Sequence, residues 1–211
     1  ARYALDVELS EAFRLNSFLD YNNFTSNGSN FGAPNRNDFA VTALLKHKVT
    51  EKLRYNVSAR QDFSSDFSSP VVFSVDGSYD FGKAYKLLMN ASRNFRLPTF
   101  NDLYWQPGGN LDLRPEQSYQ LDLGHQLTWN TFTARLNTYY IATEDMIRWL
   151  PNLTGIWSPV NVDDVQIYGA EVEIGYQQSF GKKHEIDFRA NYAYTVSEDR
   201  ATSERLIDVP C

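Results

Sequence analysis

The histidines and carboxylates are the residues best suited to acid–base or metal chemistry in this chain. His47, His125 and His184 lie far apart, and no HExxH, GxSxG or P-loop pattern is present. His47 and His125 fall on apolar registers near predicted strand ends, where an amphipathic ring suits an interface. We expect the carboxylates to pair with arginines on the same strand faces, namely Arg54, Arg60, Arg135 and Arg189. The sequence therefore predicts no enzyme, no catalytic residue, no metal site and no cofactor.

Two polar loops combine aromatic and amide side chains, a mixture that suits a sugar, a corrin or a siderophore. They span residues 97–115 and 149–163. Stacking rings would supply contact area, and the amides would supply directed hydrogen bonds. The candidate ligand-binding residues in these loops are Asn101, Tyr104, Trp105, Gln106, Asn152, Trp157 and Asn161.

Composition excludes several classes of protein. The 211 residues carry 20 Lys+Arg and 26 Asp+Glu, a net charge of −6, so nucleic acid is not expected as a partner. The single cysteine, Cys211, cannot form an internal disulfide or a thiolate metal site. Apolar runs of only a few residues are too short for a membrane helix, which needs about 20. No signal peptide is recognised at the start.

Strict alternation of apolar and polar residues dominates the chain and predicts strands with two different faces. Residues 53–60 place Leu53 and Val57 on one face, with Asn56 and Arg60 on the other. Nine candidate strands follow this rule, and most are longer than the usual 5–6 residues or so. They lie near residues 3–11, 38–49, 53–60, 71–81, 85–96, 119–127, 132–148, 170–177 and 186–195.

The connections between these strands alternate in length. Short turns are predicted at residues 50–52, 82–84, 129–131 and 179–182, and long polar loops at 13–37, 64–70, 97–115, 149–163 and after 198. Tight turns at one rim and long loops at the other are typical of a bacterial outer-membrane barrel. A soluble β-sandwich or a lipocalin-like barrel is the alternative, since its strands also alternate.

Charged residues on the polar faces need water or a partner of opposite charge, which a water-filled or plugged lumen would supply in a membrane barrel and bulk solvent would supply in a sandwich. The charged positions are Arg54, Arg60, Asp76, Asp80, Asp122, Arg135, Glu171, Glu173, Asp187 and Arg189. In such a barrel Trp149 is expected in the aromatic belt at the outer interface. For Trp105 and Trp157 the belt and a ligand surface both remain open.

Residues 93–124 read RNFRLPTFNDLYWQPGGNLDLRPEQSYQLDLG. This segment resembles the TonB-dependent outer-membrane receptors, in which Phe-(Arg/Lys)-x-Pro precedes Leu-Tyr, then Gly-Asn, Leu-x-Pro-Glu and Ser. The matching residues are Phe95, Arg96, Pro98, Leu103, Tyr104, Gly109, Asn110, Leu113, Pro115, Glu116 and Ser118. Further matches are Tyr140, Ile147, Asn161, Gly169 and Glu171. For Arg114, Pro115 and Glu116 we expect loop architecture without a ligand role.

The resemblance implies an all-β fold: an antiparallel transmembrane segment of about nine strands from a barrel of about 22. It implies TonB-energised uptake of a scarce nutrient (an iron chelate, a corrinoid, haem or an oligosaccharide) across the outer membrane of a Gram-negative bacterium. Implied partners are outer-membrane lipid, lipopolysaccharide, the nutrient, and TonB through a plug domain. A passive porin and a soluble carbohydrate-binding β-sandwich are the alternatives.

These 211 residues are expected to be a middle-to-late segment of the C-terminal barrel domain. The chain shows no plug, no TonB box and no closing strand that ends in an aromatic residue. Nine strands would also leave two open edges, which lipid does not tolerate. Residues 206–210 resemble the start of a further strand, and Cys211 is then an arbitrary end point.

Overall fold

The computed structural model describes residues 1–162, 164–181 and 184–206. Residues 207–211, with Cys211 and most of the predicted further strand, lie outside them. Within the described residues the elements are β1 (Arg2–Glu8), β2 (Phe13–Thr25), β3 (Asn35–Lys48), β4 (Leu53–Ser64), β5 (Val72–Asp80), β6 (Tyr85–Arg96), α1 (Phe100–Tyr104), β7 (Glu116–Trp129), β8 (Phe132–Glu144), β9 (Met146–Pro151), β10 (Trp157–Val162), β11 (Val165–Phe180) and β12 (His184–Asp199).

One continuous antiparallel sheet contains ten of these strands in the described part of the chain. Its order is β1-β2-β3-β4-β5-β6-β7-β8-β11-β12, while β9 and β10 form a separate hairpin between β8 and β11. The sheet strands are 7 to 16 residues long. The predicted all-β antiparallel meander is confirmed. A sandwich requires two packed sheets, so the sandwich alternative is wrong.

The predicted loop at residues 13–37 is the main error in the strand assignment. Residues 13–25 form β2, which pairs with β1 on one side and with β3 on the other. The apolar alternation of β2 is broken by Ser17 and Phe18 and is followed by an Asn-rich run, so local composition favoured a loop. The extra strand reverses the direction predicted for β1.

A second difference lies at the end of β8. The strand predicted over 132–148 ends at Glu144, because Asp145 adopts a left-handed backbone with φ of 56°. Residues 146–162 then form the β9–β10 hairpin, in which Trp149 pairs with Pro159. Most of the loop predicted at 149–163 is therefore ordered β-structure.

The connections are sorted by rim, as predicted. At one rim, called the short-turn rim, the strands are joined by residues 9–12, 49–52, 81–84 and 130–131 and by the three residues between Phe180 and His184. At the other, called the loop rim, the connections are residues 26–34, 65–71, 97–115 and 145–164.

Side chains of like polarity line up across the sheet because each strand is paired in register with its neighbours. One aligned row contains Val7, Leu15, Leu45, Val57, Val75, Ala91, Leu121, Tyr140, Tyr168 and Val196. We call the face that bears this row the outer face. The next row contains Glu8, Arg14, Lys46, Asn56, Asp76, Asn90, Asp122, Tyr139, Gly169 and Thr195 and marks the inner face.

The two faces differ in exposure as well as in polarity. Large apolar side chains of the outer face stand open, with Tyr192 at 67% and Leu121 at 54% exposure. Buried sheet residues lie mostly on the inner face, namely Asn16, Asp20, Ala40, Val165 and Ile167. Open apolar groups on one face and a more crowded face that bears the charged residues suit a wall between lipid and a polar lumen.

Ion pairs on the inner face confirm three of the four predicted arginine partners. Arg60 Nη2 lies 2.7 Å from Asp62 Oδ1, and Arg60 Nη1 lies 3.2 Å from Asp20 Oδ2. The other two pairs are Arg135–Glu173 at 3.3 Å and Arg189–Asp187 at 3.0 Å. Arg54 has no carboxylate within 4.0 Å in the described part of the chain, so its predicted pairing is wrong there.

Aromatic rings collect on the outer face near the short-turn rim. Phe13 stacks on His47 with ring centroids 3.8 Å apart, and His47 meets the edge of Tyr55. Tyr85 Oη and His125 Nδ1 are 2.6 Å apart. The positions predicted for His47 and His125, on apolar registers near strand ends, are confirmed.

Over the described ranges, no helix has both the length and the apolar character needed to cross a membrane.

The orientation of the two faces predicts unequal tolerance of charge at neighbouring positions of β7. We expect Leu123→Arg on the outer face to cost about 2–4 kcal/mol if the site lies near the bilayer midplane. Gln120→Arg on the inner face should be nearly silent, since its neighbour is Asp122. The measurement is urea unfolding of the full-length protein in lipid, and the gel-mobility shift on boiling reports the fraction that is still folded. Equal losses at both positions would contradict a lipid-facing outer face.

Candidate ligand-binding rim

Helix α1 begins with a capping box that is also a junction between loops. The Thr99 backbone N–H and Oγ1 donate to Asp102 Oδ2 at 2.9 and 2.8 Å, and the Asp102 N–H donates to Thr99 Oγ1. Asp102 is only 6% exposed. Its second oxygen, Oδ1, accepts a hydrogen bond of 2.9 Å from Trp149 Nε1. One buried carboxylate thus joins α1 to β9.

The sequence analysis predicted that Trp149 lies in the aromatic belt, and the structure places it elsewhere. Its indole is tied to Asp102 within the loop rim, in a hairpin that stands outside the ten-stranded sheet. A belt residue would lie on the outer face of a sheet strand. The assignment was wrong because nothing in the local sequence signals a partner 47 residues away.

Asn161 fastens the hairpin to the loop of residues 97–115. Its Oδ1 accepts from the Arg114 N–H at 2.8 Å, and its Nδ2 donates to Arg114 O at 2.9 Å and to Asp145 O at 2.7 Å. The Asn161 side-chain amide thus bonds the backbone N–H and C=O of Arg114, as a neighbouring strand would do. Arg114 also pairs with the Asp145 carboxylate, whose hydrogen bond and charge raise the pKa of the guanidinium above its usual value.

Glu116 makes a second cross-link. Its Oε2 accepts the Ile147 N–H at 2.6 Å, while its Oε1 pairs with Arg96. Arg96 lies 3.8 Å from Asp102 as well. Asn110 Nδ2 donates to Pro159 O at 3.0 Å. Each contact satisfies a polar group of a loop or strand end that lacks a regular ladder.

Apolar packing and two glycines complete the unit. Leu103, Leu113 and Ile147 form a buried cluster with Phe67 and Tyr104 packed against it.

Gly108 and Gly109 allow the hairpin to approach, because a Cβ on Gly108 would collide with the backbone carbonyl oxygen of Trp157. A Cβ on Gly109 would lie 2.6 Å from Trp105 N. Gly108 also has a φ of +121°, which favours glycine.

Residues of the family pattern thus build this unit, which we call the rim cap (residues 97–115 and 145–162). Leu103, Gly109, Asn110, Leu113 and Glu116 all make the contacts given above. Gly169 lies outside the rim cap, on the inner face, where a Cβ would lie 2.5 Å from Tyr139 Oη. Arg114 and Glu116 both act as loop architecture, as the sequence predicted.

All seven candidate ligand-binding residues lie within the residue ranges of the rim cap, but their side chains differ in availability. The Asn161 amide already makes the three hydrogen bonds given above, and Tyr104 packs against the buried cluster. Asn152 Oδ1 accepts from the Thr154 and Ile156 N–H groups at 2.9 and 3.0 Å and so shapes the tip of the hairpin. Binding by these three is a weaker prediction, because their polar or apolar groups already have partners.

The other four candidates keep free surface. Asn101 and Gln106 are exposed, Trp105 is half-buried, and Trp157 is 58% exposed. Ligand binding by them stays a prediction.

Sequence reasoning did not include residues 26–34 or the tip of the β9–β10 hairpin in the candidate ligand surface. The ring of Phe31 lies 6.4 Å from that of Trp105, and the Gln106 N–H donates to Asn30 O at 2.7 Å. Leu153, Ile156 and Leu111 add exposed apolar surface nearby in sequence to the aromatic candidates. In the sequence, the available signal of this surface was the occurrence of leucines within otherwise polar loops. In the described ranges, no group of three or more His, Cys, Asp or Glu could hold a metal ion.

Removing the Asn161 amide should loosen the rim cap without affecting the sheet. Asn161→Ala deletes three hydrogen bonds, of which the one to Asp145 O is part-buried, at a cost of about 1–3 kcal/mol. The measurement is the rate of protease cleavage within residues 97–115 on whole cells. Asn101→Ala is the control, since Asn101 is exposed. Unchanged cleavage in Asn161→Ala would show that the rim cap does not depend on this side chain.

Comparison with known proteins agrees with this architecture. A family model described as "TonB dependent receptor-like, beta-barrel" matches residues 2–210. The vitamin B12 transporter BtuB of Photobacterium profundum is 26% identical over 213 residues, which cover 98% of this chain and 34% of the relative. BtuB of Vibrio vulnificus is 30% identical over 186 residues, covering 86% and 29%.

A solved structure shows the same fold. The siderophore receptor PirA from Pseudomonas aeruginosa superimposes with a TM-score of 0.79 at 16% identity, covering 93% of this chain and 39% of PirA. The chain spans about a third of the length of its BtuB relatives. The sorted rims, the two-faced sheet and the family match over nearly every residue lead to one assignment: the chain belongs to the β-barrel family of TonB-dependent outer-membrane receptors.

Proposed function

We propose that the protein to which this chain belongs binds a scarce nutrient outside the cell and imports it with energy relayed from TonB. The observation that supports this most directly is a wall with an apolar outer face, a charged inner face and a rim cap that presents free aromatic and amide groups. Residues 1–211 would belong to the C-terminal barrel domain and supply wall, loops and part of the binding vestibule.

A corrinoid is the first ligand to test. Both sequence relatives named above are vitamin B12 transporters, and both align over most of this chain. A corrin ring would stack on Trp157 and hydrogen-bond to Asn101 and Gln106. Iron chelates, haem and oligosaccharides are the further candidates, since the same surface would serve them.

The proposed partners follow from the two faces and from the greater length of the BtuB relatives. Outer-membrane lipid and lipopolysaccharide would cover the outer face, and TonB would act through a plug domain outside these residues. Nucleic acid is not a proposed partner, given the net charge of −6. We propose no enzymatic activity, since the charged groups of the inner face mostly form ion pairs.

Active uptake and passive diffusion can be separated in cells. We expect the full-length protein to restore uptake of labelled cyanocobalamin in a strain that lacks its own vitamin B12 receptor. Deleting tonB or adding a protonophore should abolish that uptake. Uptake that survives both treatments would support the passive porin instead. Uptake of a ferric chelate, haem or a labelled oligosaccharide but not of cyanocobalamin would redirect the ligand assignment.

Trp157 is predicted to contribute stacking to ligand binding. Trp157→Ala should weaken binding of the transported ligand by about two- to tenfold, because an aromatic contact is worth about 0.5–1.5 kcal/mol. Trp129→Ala is the matched control, since Trp129 is 69% exposed at the short-turn rim. The dissociation constant would be measured by calorimetry on the full-length protein. Equal effects of the two substitutions would argue against a ligand site in the rim cap.

A further inference from the structure

Gly77 leaves a gap in the apolar outer face of β5. It lies in register between Tyr55 of β4 and Met89 of β6. On the Tyr55 side the same row continues with the rings of His47 and Phe13, and each ring contacts the next. A row of packed rings thus ends at a residue without a side chain.

The backbone around Gly77 does not require a glycine. A Cβ built there would lie 3.5 Å from Arg54 O and 3.7 Å from Met89 Cγ and Tyr55 Cβ, which are ordinary contact distances. Its φ is not in the left-handed region. Glycine inside a strand weakens the strand and often marks a place where another molecule approaches closely. The absent side chain therefore leaves space for a group from outside the sheet.

The gap belongs to an apolar groove of about 170 Å³ on the outer face of β4, β5 and β6. We call this groove, centred on Gly77, the outer groove. Its lining side chains include Leu53, Tyr55, Val75, Tyr79, Leu87 and Met89. An apolar cavity of about 150 Å³ can hold a benzene molecule, so the outer groove has room for a stretch of hydrocarbon chain.

The outer groove extends from the short-turn rim into the apolar band of the wall. Tyr79 lies at its rim end, where its ring meets that of Phe81 with centroids 4.6 Å apart. Val75 lies four residues away at the other end, a distance of about 13 Å along the strand. The apolar band of such a barrel is about 25 Å tall and is bounded by aromatic belts. The outer groove therefore spans about the depth of one leaflet.

The position of the outer groove identifies the leaflet. Short turns of outer-membrane barrels face the periplasm, so the groove lies in the periplasmic leaflet, which consists of phospholipid. Lipopolysaccharide lies in the external leaflet, next to the loop rim. The groove is continuous with the lipid-facing surface of the wall, so an acyl chain can enter it sideways from the bilayer.

We propose that the outer groove binds one acyl chain of a phospholipid from the periplasmic leaflet. The chain lies along β5 over Gly77, between Tyr55 and Met89. Bulk lipid is as apolar as the groove, so the preference for the groove comes from van der Waals contact with its walls. The inference needs only the membrane location of the barrel and does not depend on the proposed uptake.

A photoreactive phospholipid tests this in the full-length protein. The protein is reconstituted into vesicles of phosphatidylethanolamine and phosphatidylglycerol that contain a small share of a phospholipid with a diazirine in the middle of one acyl chain. Illumination inserts the probe into adjacent side chains, and mass spectrometry of the digest locates it.

Met89 and Leu123 provide the comparison within one molecule. They are directly paired on β6 and β7 and therefore lie at the same depth, but Met89 lines the outer groove and Leu123 does not. Labelling is corrected for their exposed fractions of 56% and 39%. We expect Met89 to be labelled about three- to tenfold more than Leu123.

Variants at Gly77 test the groove itself. Gly77→Leu fills it and should lower the labelling of Met89 to the level of Leu123, and the smaller Gly77→Ala should have an intermediate effect. Ala59→Leu is the matched control, because Ala59 is exposed on the same face of β4 but does not line the groove. It should leave the labelling of Met89 unchanged. The boiling shift shows that each variant is folded.

Equal labelling of Met89 and Leu123 in the unaltered protein would overturn the proposal, since the groove would then contact only bulk lipid. Labelling of Leu123 without Met89 would also overturn it and would indicate that a second copy or another protein segment covers the groove. Loss of the Met89 label when lipopolysaccharide is added would assign the groove to that lipid instead. Full labelling of Met89 in folded Gly77→Leu would contradict a chain lying over Gly77.

Discussion

The structure depends on one constraint: a strand in lipid must have its backbone N–H and C=O groups bonded by neighbouring strands, because the hydrocarbon offers no water. Antiparallel pairing in register meets this need for the eight strands that are not at an edge of the sheet, because each of them lies between two neighbours. The same register aligns side chains of like polarity across all ten strands. An apolar outer face and a charged inner face therefore follow from the pairing itself.

The loop rim solves the same problem by other means. Its segments lack a continuous ladder, so side chains bond the backbone instead, as Asn161 does for Arg114 and Glu116 does for Ile147. The buried Asp102 carboxylate adds a link between α1 and β9. These contacts hold two loops as one unit, and they leave Trp157 and the hairpin tip exposed.

The inner face shows how a charged wall is stabilised. Pairs such as Arg60 with Asp62 keep charged groups satisfied within the sheet. Lys46 and Arg54 depart from this pattern at the short-turn rim, where the register sets like charges opposite each other. The two rims thus differ in construction: the loop rim carries the ordered rim cap, and the short-turn rim sets like charges opposite each other on the inner face.

By itself, the sequence determined the all-β class, the alternation of faces, the sorting of short and long connections and the family, since each depends on residues close together in the chain. It also indicated that Arg114 and Glu116 build the loop. It did not reveal β2, whose alternation is interrupted at Ser17 and Phe18 and becomes clear only beside β1 and β3. The bond from Trp149 to Asp102 and the threefold engagement of Asn161 were equally hidden, because their partners lie up to 47 residues away. Tertiary structure alone decided these roles, since a side chain's partner is set by which segments the folded sheet brings together.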